Sequence, residues 1–250
     1  FFALSTKKPR FLLLSSAFMA LSLYAYGTAY FVIPSIMFLL GLYELYFSSN
    51  KTDWFKKYSA AFAVFLIVSI PVIIFIYINV ISPSSQSVKL GFMTIPKLIQ
   101  TGTRYKQVVF LSGEWANIFE TMSQNFEYFY GTVFKQDGPL WSVIIKYGNI
   151  YLISNLFFAI GFLWSIIESI ASFIKKKARY EIIFLIWFII STVLGIVNET
   201  NTNRMNIIFI PMIYFVGYGI YLTAKAASKA IFHLFNTHSF KHHSYIAVKI

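Results

Sequence analysis

Arg204 is the residue whose type and position most clearly suggest ligand chemistry. It follows the small polar segment 199–203 and directly precedes a long apolar run. A guanidinium group can hold two phosphate oxygens at once, and the start of a helix adds free N–H groups and a positive dipole end. Arg204 could therefore bind a phosphate. Alternatively, it pairs with Glu199 or with a lipid head group and contributes little, as exposed ion pairs usually do.

Three tyrosines form a second group with possible chemistry. Tyr24, Tyr26 and Tyr30 surround a Gly-Thr break between two apolar runs. Aromatic rings can line a cavity while their hydroxyl groups bond sugar or phosphate oxygens. Tyrosines are also common as anchors at the membrane interface. Both interpretations remain open from these residues alone.

Other catalytic arrangements are missing from the sequence. The chain has no cysteine, no Gly-rich phosphate loop, no Ser/His/Asp arrangement and no HExxH motif. Its histidines lie in a basic segment that contains no Asp or Glu, which favours surface histidines over a metal site; they are His233, His238, His242 and His243.

The composition is typical of an integral membrane protein. The chain is 58% hydrophobic and 12% charged, and it contains 28 Phe and 17 Tyr. Its net charge of +12 comes mostly from Lys and Arg beside the apolar runs. The positive-inside rule explains that distribution, so we do not expect nucleic-acid binding.

We therefore predict an all-α polytopic membrane protein with about six transmembrane helices in a single domain over 1–250. A helix of about 20 apolar residues spans a bilayer. The runs that reach or approach this length are 11–27, 29–48, 60–81, 149–173, 181–198 and 205–224. The clear ionisable side chains within them are Glu44 and Glu168, both near the basic ends. Since ion-coupled transport usually needs such groups near the bilayer midplane, this placement argues against it.

The charges in the connections between the apolar runs predict the orientation of the chain in the membrane. Segments 6–10, 48–58 and 175–179 and the tail 225–250 are rich in Lys and Arg, whereas the two short connections on the other side carry a single cation. The positive-inside rule then places the N-terminal end and the basic tail in the cytoplasm and the long loop 82–148 outside.

The external loop is predicted to carry one or two membrane-surface helices. Apolar residues recur at helical spacing over 114–130, polar residues occupy much of the other face, and Ser112 could cap the helix. The apolar positions are Trp115, Ile118, Phe119, Met122, Phe126, Phe129, Tyr130 and Val133. The polar positions are Glu114, Asn117, Glu120, Gln124 and Glu127. A shorter helix could begin at Thr94, with Pro96 in its first turn.

Four stretches of the sequence carry a resemblance to a known family: "ALSLYAYGTAYFVIP", "TGTRYKQVVFLSG", "FKQDGPLWSVIIKYGNIYLISNLFFAIG" and "NETNTNRMNIIFIPMIYFVGYGI". They resemble the GT-C glycosyltransferases of the dolichyl-phosphate-mannose protein mannosyltransferase-like superfamily, which includes the bacterial aminoarabinose transferases. Together they cover most of the chain in the family's order. This chain has Tyr30 where the family often has an arginine.

The resemblance implies a multi-span enzyme of the bacterial plasma membrane. It would move a sugar from a polyprenyl-phosphate-linked donor to an acceptor at the external face. The sequence does not begin with Met, and we expect it to be a fragment of a longer protein. The catalytic carboxylate, and any divalent metal, would then be supplied mainly by a segment upstream of Phe1.

The resemblance also implies roles for residues in this chain. The donor phosphate would be bound by Arg204, Asn203, Arg104 and Lys106. The cavity would be lined by Tyr24, Tyr26, Tyr30, Asp137 and Trp141. The other partners would be membrane lipids. The alternative functions are a non-enzymatic transporter or flippase of lipid-linked saccharides, a polysaccharide export protein, or a structural subunit of a membrane complex.

Overall fold

The fold is nearly all-α. A computed structural model describes residues 8–25, 27–82, 86–91, 93–98, 115–135, 151–179, 181–198 and 202–247. At 115, 202–204 and 234–247 it describes the backbone alone. The α-helices are α1 (Pro9–Ser22), α2 (Ala29–Phe47), α3 (Lys51–Ile76), α4 (Ile118–Tyr130), α5 (Leu152–Ile174), α6 (Ile182–Val197) and α7 (Thr202–Ala247). A π-helical turn extends α3 through Tyr77–Ile81, and another, Gly131–Lys135, follows α4.

Among the described residues, four helical segments are long and apolar enough to cross a membrane: Ala29–Phe47, Lys51–Ile81, Leu152–Ile174 and Met205–His233. Large apolar side chains point outward along them; Phe38, Ile67 and Ile213 are each about two-thirds exposed. Such side chains are stable on a surface that lipid covers. These four helices are compatible with an integral membrane protein.

The other two predicted spans are shorter helices. The apolar run at 11–27 gives a helix that ends at Ser22, because the chain turns before Gly27, and α6 contains 16 residues. At 1.5 Å per residue these helices are about 21 and 24 Å long, less than the ~30 Å hydrocarbon core. The structure therefore supports four of the six predicted spans by length and composition.

The prediction of a short helix from Thr94 is wrong. Met93–Ile95 is a β-strand (β2) that pairs antiparallel with β1 (Val88–Leu90), and Thr94 lies opposite Lys89. Gly91 adopts a φ of +52° in the turn between the strands, a conformation that glycine reaches without steric cost. Pro96 thus follows a strand and does not begin a helix.

Helices α5 and α7 make a close backbone contact. A Cβ atom on Gly161 would collide with the backbone carbonyl of Phe215, and one on Gly219 would collide with the backbone carbonyl of Phe157. Because glycine has no side chain, the two backbones touch directly at these positions. The main core surrounds this contact and includes Phe158, Phe188, Met212 and Phe215.

Two smaller cores attach the remaining helices. Ala20 and Leu23 pack with Phe65 and Val72, so that α1 lies against α3. The Ser16 hydroxyl reinforces this pair by donating to the backbone carbonyl of Ala61. The second core joins α2 to α6 through Val32, Ile36, Leu40, Ile190 and Leu194.

The contact between α5 and α7 predicts different effects for three glycine-to-alanine changes. Gly161→Ala or Gly219→Ala should lower the free energy of unfolding by about 1–3 kcal/mol or more, because backbone atoms cannot rotate out of the way. Gly217→Ala is the matched control, since its Cβ would meet nothing within 4 Å. Thermal unfolding midpoints of the detergent-purified chain measure the effect. Equal midpoints for all three variants would contradict the close contact.

Candidate functional site

Three elements meet near the start of α7, where the sequence analysis placed Asn203 and Arg204. The ring of Phe129 from α4 and the methyl group of Met205 from α7 both lie against Gly195 of α6. The Asn125 amide also donates to the backbone carbonyl of Ile196 at 3.1 Å. Helix α4 is therefore docked beside the first turn of α7.

The docked helix α4 has three distinct faces. With 3.6 residues per turn, Ile118, Met122, Asn125 and Phe129 share one face, and these residues are half-buried or buried against the protein. A second face exposes the apolar side chains of Phe119, Phe126 and Tyr130. The third face exposes the polar side chains of Glu120, Gln124 and Glu127.

This arrangement refines the amphipathic helix predicted from the sequence. The predicted apolar face divides in two, because Phe129 is buried in the protein core while Phe119 is 84% exposed. A helix with separate protein-facing, apolar and polar faces fits a membrane surface, where protein, lipid and water meet. The α-helix begins at Ile118 after a single 3₁₀ turn, Trp115–Asn117, and the predicted cap Ser112 lies outside the described residues.

Two of the three tyrosines near the Gly-Thr break take part in packing. The hydroxyl of Tyr24 donates to the backbone carbonyl of Val68 in α3 at 2.7 Å. The half-buried ring of Tyr30 packs against the core formed by α1 and α3. These contacts tie the α1–α2 hairpin to α3. Tyr26 lies outside the described residues.

Most of the other predicted site residues lie outside the residues that the structure describes. Arg104, Lys106, Asp137 and Trp141 fall in undescribed segments, so their proposed roles stay predictions. Asn203 and Arg204 are described by their backbone alone, which lies in the first turn of α7. The structure thus places the start of α7 beside α4 and leaves the phosphate-binding assignment as a prediction.

Asn79 is a buried residue that holds part of the loop in place, a role that was not predicted from the sequence. The Asn79 amide donates to the backbone carbonyls of Phe75 and Pro96 at 3.0 and 3.2 Å, and its oxygen accepts from the Leu98 N–H at 2.8 Å. The β-hairpin is therefore fixed to the end of α3. An asparagine in the otherwise apolar segment "YINVI" is the sequence signal that could have indicated this role.

A polar junction that the sequence analysis missed lies at the basic end of the helices. Glu168 in α5 pairs with Arg179 at 3.0 Å and accepts a 2.7 Å hydrogen bond from the Tyr218 hydroxyl. Partial burial acts to lower the pKa of Arg179, but the hydrogen bond and charge of Glu168 raise it overall. Arg179 therefore remains charged. A carboxylate within an apolar run needs a partner. The nearest arginine to Glu168 is Arg179, eleven residues later, and this is the sequence signal that could have indicated the pair.

The segment that follows α5 is held in place by its backbone. The Tyr43 hydroxyl donates to the Arg179 carbonyl at 3.0 Å and accepts from the Arg179 N–H at 2.7 Å. These two bonds fix the α5–α6 connection against α2. The basic segment 175–179 is thus held in place at Arg179.

The described residues contain no group of three His, Cys, Asp or Glu side chains that could hold a metal ion. Comparison of the chain with protein-family models, with curated proteins and with solved structures finds no match. We therefore infer function from the residues, from their geometry and from the resemblance of the four sequence stretches.

The three faces of α4 lead to a test of its membrane contact. Phe119→Asp would place an unpaired carboxylate on the exposed apolar face, which costs free energy if that face lies in lipid. In proteoliposomes we expect cleavage by protease within 115–135 to become about tenfold faster or more, given the ~1.5–3 kcal/mol that burial of a Phe ring contributes. Gln124→Asp on the polar face is the control and should change cleavage by about twofold at most, the effect of one like-charge pair with Glu120. Equal cleavage of both variants would show that the apolar face is not in lipid.

Proposed function

We propose that the chain is the membrane domain of a protein whose six apolar helices all cross the bilayer. The two shorter helices can do so because a bilayer thins locally around a short helix at modest cost. The basic segments would face the cytoplasm, as the positive-inside rule requires. The β-hairpin, α4 and the first turn of α7 would face the other side.

We further propose that this outer face takes part in glycosyl transfer from a polyprenyl-phosphate-linked sugar. The observation that carries the proposal is the docking of α4 beside the start of α7. It brings an exposed apolar face, an exposed polar face and the backbone of Arg204 to one end of the molecule. A lipid-linked sugar needs these three features, because its tail lies in lipid, its sugar lies in water and its phosphate needs a cation.

In the proposed reaction, the bond between the sugar's anomeric carbon and the donor phosphate oxygen breaks. A bond to an acceptor hydroxyl oxygen forms, the acceptor proton passes to a base, and polyprenyl phosphate leaves. The part of this chain would be to hold the phosphate and stabilise the charge that develops on it. The base, and any divalent metal, would come from residues outside this chain, as the resemblance implies. The acceptor could be a lipid, a glycan or a protein.

The phosphate role of Arg204 gives a quantitative prediction. Loss of one charge-assisted contact costs ~1.5–3 kcal/mol, so Arg204→Ala should lower donor use about tenfold to a hundredfold. Arg204→Lys should recover only part of that loss, because an ammonium group cannot hold two phosphate oxygens in a planar fork. The measurement is transfer of radiolabel from a panel of polyprenyl-phosphate hexoses in membranes that contain the native protein.

Arg10→Ala is the control, since it removes the same guanidinium group at the opposite end of the helices. It should leave transfer unchanged. Transfer by Arg204→Ala within about twofold of wild type at matched protein levels would contradict the phosphate role. Label that crosses the membrane while still joined to the polyprenyl phosphate would favour a flippase instead of a transferase.

A further inference from the structure

A polar cavity of about 530 Å³ lies at the basic end of the helices, far from α4. Its walls come from the start of α1, from the α2–α3 connection with the first turns of α3, and from the α5–α6 connection. Three segments that are separate and basic in the sequence therefore meet around one space.

The cavity has an excess of positive charge. Lys8, Lys57, Lys176 and Lys177 line it, against two carboxylates, those of Glu44 and Asp53. Asp53 pairs with Lys57 at 2.6 Å. Within the described part of the chain, no ion pair joins Lys8, Lys176 or Lys177 to a carboxylate. Three cations at the rim are thus available to an anionic ligand.

The backbone beneath two of these lysines is fixed. The N–H groups of Lys176 and Lys177 bond to the carbonyls of Phe173 and Ser172 at 3.3 and 3.0 Å, which closes the end of α5. Lys176 adopts a φ of +49°, although the left-handed region is normally occupied by glycine. The two ammonium groups therefore extend from a defined turn.

An apolar cavity of about 340 Å³ adjoins the polar one. The two cavities share Leu12, Trp54 and Tyr58, and the Trp54 and Tyr58 rings stack with centroids 4.7 Å apart. The apolar cavity lies between α1, α2 and α3, and Ile183 of α6 also lines it. Its lining includes Phe38 and Phe62, which are 65% and 55% exposed, so it opens sideways from the helices.

We propose that the two joined cavities bind one anionic phospholipid. Its phosphate lies among Lys8, Lys176 and Lys177, and one hydrocarbon chain lies in the apolar cavity. Basic pockets between membrane helices bind acidic head groups, and phosphate accepts charge-assisted hydrogen bonds from ammonium groups. A free phosphate would leave the adjoining apolar cavity empty. The proposal requires that the helices cross a membrane and does not depend on glycosyl transfer.

The test measures lipid retention by the purified full chain, using native mass spectrometry after exchange with phosphatidylglycerol or phosphatidylcholine of the same chain lengths. Wild type should retain phosphatidylglycerol preferentially. The triple variant Lys8→Gln, Lys176→Gln, Lys177→Gln should lower that preference about tenfold or more, from the loss of charge-assisted contacts. The matched triple variant Lys89→Gln, Lys225→Gln, Lys229→Gln removes equal charge elsewhere. Its preference for phosphatidylglycerol should stay within about twofold of the wild-type preference.

Substitutions at Gly41 test whether the hydrocarbon chain lies in the apolar cavity. It lines the apolar cavity, and a Cβ there would meet Tyr58 and Trp54 at 3.8–3.9 Å, an ordinary contact. Gly41→Ala should therefore retain phosphatidylglycerol, while Gly41→Leu should fill the space and lose it, with an unfolding midpoint that shows the fold intact.

Three results would overturn the proposal. The first is equal retention of the two lipids by wild type, and the second is an equal loss in the two lysine triples. The third is displacement of phosphatidylglycerol by an equimolar polyprenyl phosphate, which would identify a different lipid as the occupant.

Discussion

The direct backbone contact between α5 and α7 is the constraint on which the rest of the structure depends. Lipid tails are as apolar as the side chains of these helices, so hydrophobic burial contributes little to helix association in a bilayer, and close packing must supply the attraction. Gly161 and Gly219 allow that packing, and the phenylalanine-rich core surrounds their contact. Once α7 is held against α5, its first turn lies beside α4 and α6.

The same helix pair connects two chemically different ends. At one end, Gly195 accommodates both Phe129 and Met205, and this places α4 beside the first turn of α7. At the other, Glu168 joins Arg179 and Tyr218, and Tyr43 holds the connection between α5 and α6. An unpaired carboxylate within an apolar helix would be costly, so this junction both satisfies Glu168 and positions the neighbouring lysines.

The helices could be predicted from the sequence because a bilayer requires long apolar runs, and runs such as 29–48 and 60–81 are unmistakable. The β-hairpin could not, because three-residue strands leave almost no alternating pattern and their register depends on Gly91 and on the anchor at Asn79. Nor does the sequence reveal which glycines face another helix: Gly217 and Gly219 are two residues apart, yet only Gly219 lies against a neighbouring backbone.

The candidate site was less predictable than the fold. The sequence indicated an amphipathic α4 but not that Phe129 packs into the protein while Phe119 stays exposed, since periodicity does not distinguish lipid from protein as the partner of an apolar face. The sequence did not indicate that the Tyr24 hydroxyl donates to the backbone carbonyl of Val68, and its predicted place in a cavity wall stays a prediction. The partner of a hydroxyl group depends on which helices become neighbours, and tertiary packing alone determines that.

We propose that the basic end and α4 lie on opposite sides of one membrane. Single-cysteine labelling tests it directly, because the chain contains no cysteine of its own. Ser49→Cys lies in the exposed α2–α3 connection, and Gln124→Cys lies on the polar face of α4. A membrane-impermeant thiol reagent added to intact cells should label position 124, and it should label position 49 only after the membrane is permeabilised. Labelling of both positions in intact cells, or of position 49 alone, would contradict the account.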